Sequence, residues 1–123
     1  CKMAKIQIRW RKINFLIFNM QPLERLKAST TSGNIWIYIL LLGKDKEVVS
    51  DKLPELIYEK FGFLPNGVLT MAVLFRLKAE GYVSQERFHS QSAYKTTSKG
   101  LDELNRAKEY TLSLLERFRK AQA

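Results

Sequence analysis

Apolar residues fall into three consecutive blocks of helical spacing after Gly33, then alternate, then return to helical spacing up to the C-terminus. Residues 34–42 are apolar almost all round, with Thr30, Thr31 and Ser32 as cap candidates before them and Gly43 behind, which predicts a short buried helix. Lys44, Asp45, Lys46 and Glu47 then make a polar turn. A second helix should be capped by Ser50 or Asp51, because Pro54 is tolerated only in the first turn. Leu53, Leu56, Ile57 and Phe61 form its stripe, and Gly62 ends it. Pro65 and Asn66 restart the chain as a third helix reaching toward Gly81, with Leu69, Val73, Leu74 and Leu77 inward.

Residues 82–88 and 93–97, separated by His89, Ser90, Gln91 and Ser92, read as a β-hairpin. Thr97 is placed to cap a terminal helix running to about residue 120. On it Leu104, Ala107, Thr111, Leu114, Phe118 and Ala121 follow a 3,4 spacing, widened by Leu101, Leu112 and Leu115. So long a seam leaves little domain to cover it, and a second copy of the chain is the expected cover. The expected dimer contacts are Leu101, Leu104, Thr111, Leu114, Leu115 and Phe118.

Three helices followed by a hairpin is the order of a winged helix-turn-helix. The expected fold class is therefore mainly α with a small β-hairpin wing, followed by a long C-terminal dimerisation helix. In that order two helices buttress a third whose N-terminal part enters the DNA major groove, and the hairpin reaches flanking phosphates. Asn66, Gly67, Thr70 and Met71 fall at the end that would meet base edges, with a helix cap as the plainer role for Asn66. Arg87, His89, Ser90, Gln91 and Lys95 fall on or beside the wing. Arg76 and Lys78 belong to a solvated face. Val68, Ala72 and Phe75 make the third helix more apolar than groove reading requires, and packing against the N-terminal extension accounts for them better than a ligand pocket.

Charge and composition sharpen this picture. The chain carries 21 basic and 12 acidic residues, a formal charge of +9, which suits a polyanionic partner. The excess is uneven: residues 1–19 contribute +5 with no acid, residues 20–100 contribute +3, and the remainder +1. The expected organisation is a basic extension over 1–19, a DNA-binding domain over 20–97 and a dimerisation helix over 98–123. In the extension Ile6, Ile8 and Trp10 alternate as in a strand, while Ile6, Trp10, Ile13 and Ile17 keep helical spacing; its Ile, Trp and Phe content favours strand. The apolar run from Ile13 to Phe18 is too short for an export signal and no small-residue cleavage site follows, so a cytoplasmic location is expected. No apolar run approaches the roughly 20 residues of a membrane span. With one cysteine, Cys1, and one histidine, His89, neither a disulfide nor a Cys/His zinc cage can form within the chain, and no cofactor is expected. His89 at a hairpin tip lacks an orienting carboxylate, so no enzymatic centre is expected. Trp36, Tyr38 and Tyr110 are read as core rather than as the walls of a ligand site.

Three segments carry a resemblance: Gly62-Phe63-Leu64-Pro65-Asn66-Gly67, then Val73-Leu74-Phe75-Arg76-Leu77-Lys78-Ala79-Glu80-Gly81-Tyr82-Val83, then Ala93-Tyr94-Lys95-Thr96-Thr97-Ser98-Lys99-Gly100. In their order and spacing they resemble the PadR family of winged-helix transcriptional regulators, most of all its archaeal branch, over about residues 33–118. The resemblance implies a homodimer joined partly through its C-terminal helices, acting on double-stranded DNA as a repressor or regulator, with an unidentified small-molecule effector. The chain departs from the family pattern at Asp51 and Met71, where aromatic residues are frequent, and at Gln91 and Ser92, where basic ones are. Two functions follow: a sequence-specific DNA-binding regulator, and a winged-helix module that binds protein, for which the modest charge of residues 20–123 speaks.

Overall fold

The computed structural model describes residues 21–122; the extension over 1–19, with its expected strand, lies outside them. The chain divides into two compact units at Gly33. In the first, α1 (Pro22–Ser29) starts with a proline in its first turn and has no buried residue. Thr30 and Thr31, expected to cap the next helix, instead turn their hydroxyls back onto this one, donating to the Leu26 carbonyl at 2.9 Å and the Lys27 carbonyl at 2.7 Å. A threonine just past a helix end finds unpaired carbonyls within reach, and these accept more readily than a helix not yet begun.

The second unit holds the core. Its first helix, α2 (Ile35–Leu42), follows a 3-10 turn over Ser32–Asn34 and has no side-chain cap. The polar turn after it leads into β1 (Val48–Val49), a strand of two residues absent from the sequence reading. Ser50 and Asp51 do not cap the next helix either: with Lys52 they form a 3-10 turn, and Ser50 is buried there. α3 (Leu53–Phe61) then begins with Pro54 in its first turn, as expected, and stops at Gly62, whose φ of 86° is left-handed. Leu53 and Ile57 are buried, with Leu56 and Phe61 half-buried beside them.

α4 (Gly67–Ala79) buries Thr70, Leu74 and Leu77. Leu69, expected inward, is 46% exposed, and Thr70 takes the inward place. At about 100° per residue, Leu69 is carried off the line that Leu77, Leu74 and Thr70 define. β2 (Val83–Phe88) and β3 (Gln91–Thr96) pair antiparallel, and β1 joins the far side of β3, giving the order β1-β3-β2. The hairpin loop is two residues, not four. His89 and Ser90 both have positive φ, 51° and 64°, the conformation of a tight turn matched to strand twist, so Gln91 and Ser92 belong to β3. α5 (Ser98–Gln122) is capped by Thr97, whose Oγ1 accepts from the Gly100 amide at 3.2 Å.

The sheet and α2 meet through a set of polar contacts inside the core. The Tyr94 hydroxyl donates to the Ile39 carbonyl at 2.7 Å and the Thr96 hydroxyl to the Leu40 carbonyl at 2.7 Å. The Thr96 amide adds a bond to the Gly43 carbonyl at 2.9 Å. Both side chains are buried, Tyr94 fully. The root of α5 closes against the same strand at Gly100, where a Cβ would run into the Tyr82 carbonyl and stand 2.7 Å from Thr96 Cγ2.

Two stability tests follow. Tyr94→Phe loses one hydrogen bond, but the Ile39 carbonyl keeps the Gly43 amide as a donor, so the expected cost is about 1 kcal/mol in urea denaturation at neutral pH. Burial raises the Tyr94 pKa, so above about pH 10 the unfolded chain releases a proton that the folded chain retains. Stability from Tyr94 is thus complete below that pH and lost above it, and the gap between wild type and Tyr94→Phe should narrow on going from pH 7 to pH 10.5. Gly100→Ala should cost about 1–3 kcal/mol by overpacking, read as a lower denaturation midpoint.

Candidate nucleic-acid interface

The start of α4 is set by Asn66. Its backbone is extended, and its side-chain Oδ1 accepts from the Leu69 amide at 3.0 Å, an N-cap. Its carbonyl receives both the Thr70 amide at 2.9 Å and the Thr70 hydroxyl at 2.7 Å. Thr70, expected among the base-contacting residues, is therefore corrected: it has no exposed surface and spends its hydroxyl on the turn before it. A threonine can serve as a core side chain mid-helix when its hydroxyl bonds back four residues. Gly67 and Met71 are exposed, as is Asn66. Val68 is 83% exposed and Phe75 74%. The extension expected to cover Val68, Ala72 and Phe75 lies outside the described residues. Asp51, Pro54, Gly67, Val68 and Met71 line one shallow depression between the start of α3 and the start of α4.

On α4, Arg76 pairs with Glu80 at 3.0 Å across one exposed turn, a solvated pair worth little in stability. On the hairpin, the Arg87 guanidinium donates to the Ser90 carbonyl at 3.1 Å, bracing the turn, and the His89 ring stands edge-on to Phe88 at 4.3 Å. Arg87, His89, Ser90, Gln91 and Lys95 are all exposed. They do not form one patch. Ser84 pairs with Lys95, and Arg87 with Ser92, and side chains alternate along each strand, so Lys95 and Arg87 point to opposite faces of the ribbon.

The aromatic residues weighed as ligand walls stand in three different surroundings. Trp36 lines a cleft of about 350 Å³ with Val73, Arg76, Leu77, Glu80, Tyr82 and Glu103, and its indole N–H donates to the Asn34 side chain at 3.2 Å. Tyr38 stands edge-on to Phe61 and Phe63, each at 4.9 Å. Tyr110 is 63% exposed on α5. Among the described residues no group of three or more His, Cys, Asp and Glu side chains could hold a metal ion, and no helix is long and apolar enough to cross a membrane.

α5 changes character along its length. Leu101, Leu104 and Ala107 are half-buried, with Leu104 packed on the core. Beyond them the seam is open: Leu112, Leu114 and Leu115 are about half exposed, and Phe118 is 61% exposed. Thr111, also exposed, donates its hydroxyl to the Ala107 carbonyl at 2.7 Å.

No family model and no curated protein sequence matches the chain. Solved structures do match in fold. A PadR-like transcription factor from Bacteroides fragilis superposes with a TM-score of 0.64 at 21% identity, over 77% of this chain and 96% of that one. A PadR family transcription regulator from Clostridium difficile gives 0.63 at 16% identity, over 73% and 99%. A winged-helix DNA-binding protein from STIV gives 0.57 at 16% identity, over 66% and 89%. The chain is therefore similar in fold to PadR-family transcription regulators, and its architecture is a winged helix-turn-helix followed by a long C-terminal helix.

Proposed function

We propose that this protein is a sequence-specific DNA-binding transcriptional regulator that works as a homodimer, and that its sign is repression. The observation that carries this reading is the open N-terminal end of α4: Asn66, Gly67, Val68 and Met71 are exposed, on the helix that a winged helix-turn-helix sends into the major groove. Base contact is assigned to Gly67 and Met71 with Val68, and Asn66 serves as the cap that orients them. Thr70 has no part in it. Arg87, His89, Ser90, Gln91 and Lys95 act on phosphates. Because Arg87 and Lys95 lie on opposite faces, the hairpin approaches tip-first, one face toward each phosphate row.

The dimer rests on the second half of α5. The helix has 25 residues, about 37 Å at 1.5 Å per residue, and its outer half carries Leu112, Leu114, Leu115 and Phe118 in the open. Burying such side chains is worth about 1.5–3 kcal/mol each when complete. A two-fold pairing of this helix with its copy covers the same residues on both chains and sets two α4 helices for two half-sites.

Duplex DNA titrated at several salt concentrations checks the first claim: affinity should fall steeply with salt, and Arg87→Ala and Lys95→Ala should each reduce the salt slope by about one. A folded protein that shows no shift at low salt would turn the reading toward a protein-binding module. Leu114→Glu or Phe118→Glu should lower the mass seen in sedimentation and abolish specific DNA binding together, while wild type that sediments as a monomer at tens of micromolar and still binds its site would refute the dimer.

A further inference from the structure

The depression between α3 and α4 is unusual in chemistry for a groove-reading surface. Guanine is read by Arg or Lys donating to O6 and N7, and adenine by Asn or Gln used in a bidentate way. Neither device is present among the residues that line it: Pro54, Gly67, Val68 and Met71 are apolar or bare backbone, and Asp51 is an acceptor. Asn66 beside it holds its side-chain oxygen on the Leu69 amide, so turning that side chain to adenine would cost α4 its N-cap. What the surface does offer is Val68, 83% exposed, and Met71, 39% exposed, one turn apart.

Gly67 supplies an independent observation. A Cβ built there would meet nothing within 4 Å, and its φ lies outside the left-handed range, so neither packing nor backbone geometry of the isolated chain calls for glycine. Glycine is otherwise a poorer helix residue than alanine. A bare α-carbon at a surface that the fold leaves empty is suited to the close approach of something from outside.

Resting on the DNA-binding reading above, we propose that α4 reads thymine through its C5-methyl group, packed between Val68 and Met71 over the bare Gly67, and that Asp51 disfavours guanine at the same step. The major-groove edge of guanine carries only acceptors, so a carboxylate facing it has no proton to receive. The thymine methyl is the apolar feature of that groove and matches an apolar surface.

The test uses the full chain and duplex DNA. Sites selected from a random duplex pool should be rich in thymine at the positions protected by α4 and poor in guanine. Replacing those thymines by deoxyuridine removes only the methyl group, and should weaken binding about fourfold per methyl for the wild type. Val68→Ala and Met71→Ala should bind thymine sites more weakly yet lose less on the change to deoxyuridine, the coupling that marks a direct contact. Gly67→Ala should keep or raise thermal stability while lowering affinity. Equal loss on deoxyuridine substitution in wild type and Val68→Ala, or selected sites without thymine at the protected positions, would overturn the assignment while leaving DNA binding intact. Failure to bind any duplex at low salt would instead remove the DNA-binding reading on which it rests.

Discussion

A helix that ends inside a hydrophobic core leaves carbonyl groups that must find donors, and the second unit is organised around how α2 meets that requirement. Its residues are apolar almost throughout, so its C-terminal end cannot lie in water, and the donors come from the sheet: Thr96 to Leu40 and the Thr96 amide to Gly43, with Tyr94 adding a second donor to Ile39 beside the Gly43 amide. These bonds fix β3 at one height against α2. Once β3 is fixed, β2 and the hairpin follow by register, β1 is held on the other edge, and the residue after β3, Thr97, starts α5 where Gly100 allows close approach. The wing is thereby tied to α2 through bonds shielded from water.

The helical part of this arrangement was legible because α3, α4 and α5 each have one end marked by a strong local signal. Gly62 in the left-handed region and Asn66 as an N-cap mark the turn between α3 and α4, and Thr97 marks the start of α5. What escaped had weak or non-local signals. Two residues of β1 are too few for alternation to register, and their strand character exists only because β3 is beside them. The hairpin loop was misjudged because His89-Ser90 lacks the Asn-Gly or Gly that usually announces a two-residue turn. In α1 the apolar residues Leu23 and Leu26 are exposed and make no buried stripe, so spacing had little to report.

The candidate interface was half legible for the same reason. Sequence order placed Asn66, Gly67 and Met71 at the start of α4, where they are exposed, since the signals that bound this helix are local. It did not separate Thr70 from its neighbours, because a threonine with its hydroxyl spent on the carbonyl four residues back is chemically a valine, and only the backbone geometry reveals it. Likewise Arg87 and Lys95 look like one basic cluster along the chain, while strand pairing sets them on two faces of the ribbon.

α5 is anchored at one end and open at the other: Leu104 sits on the core, while residues from Thr111 onward are exposed. Rod geometry then separates two properties that most helices couple. Inserting one residue beyond Leu104 rotates every later side chain by about 100° and advances it about 1.5 Å, with the anchored root unmoved. The direction and phase of the apolar outer surface can therefore drift through single insertions and deletions, while the core and α4 stay under their own separate constraints.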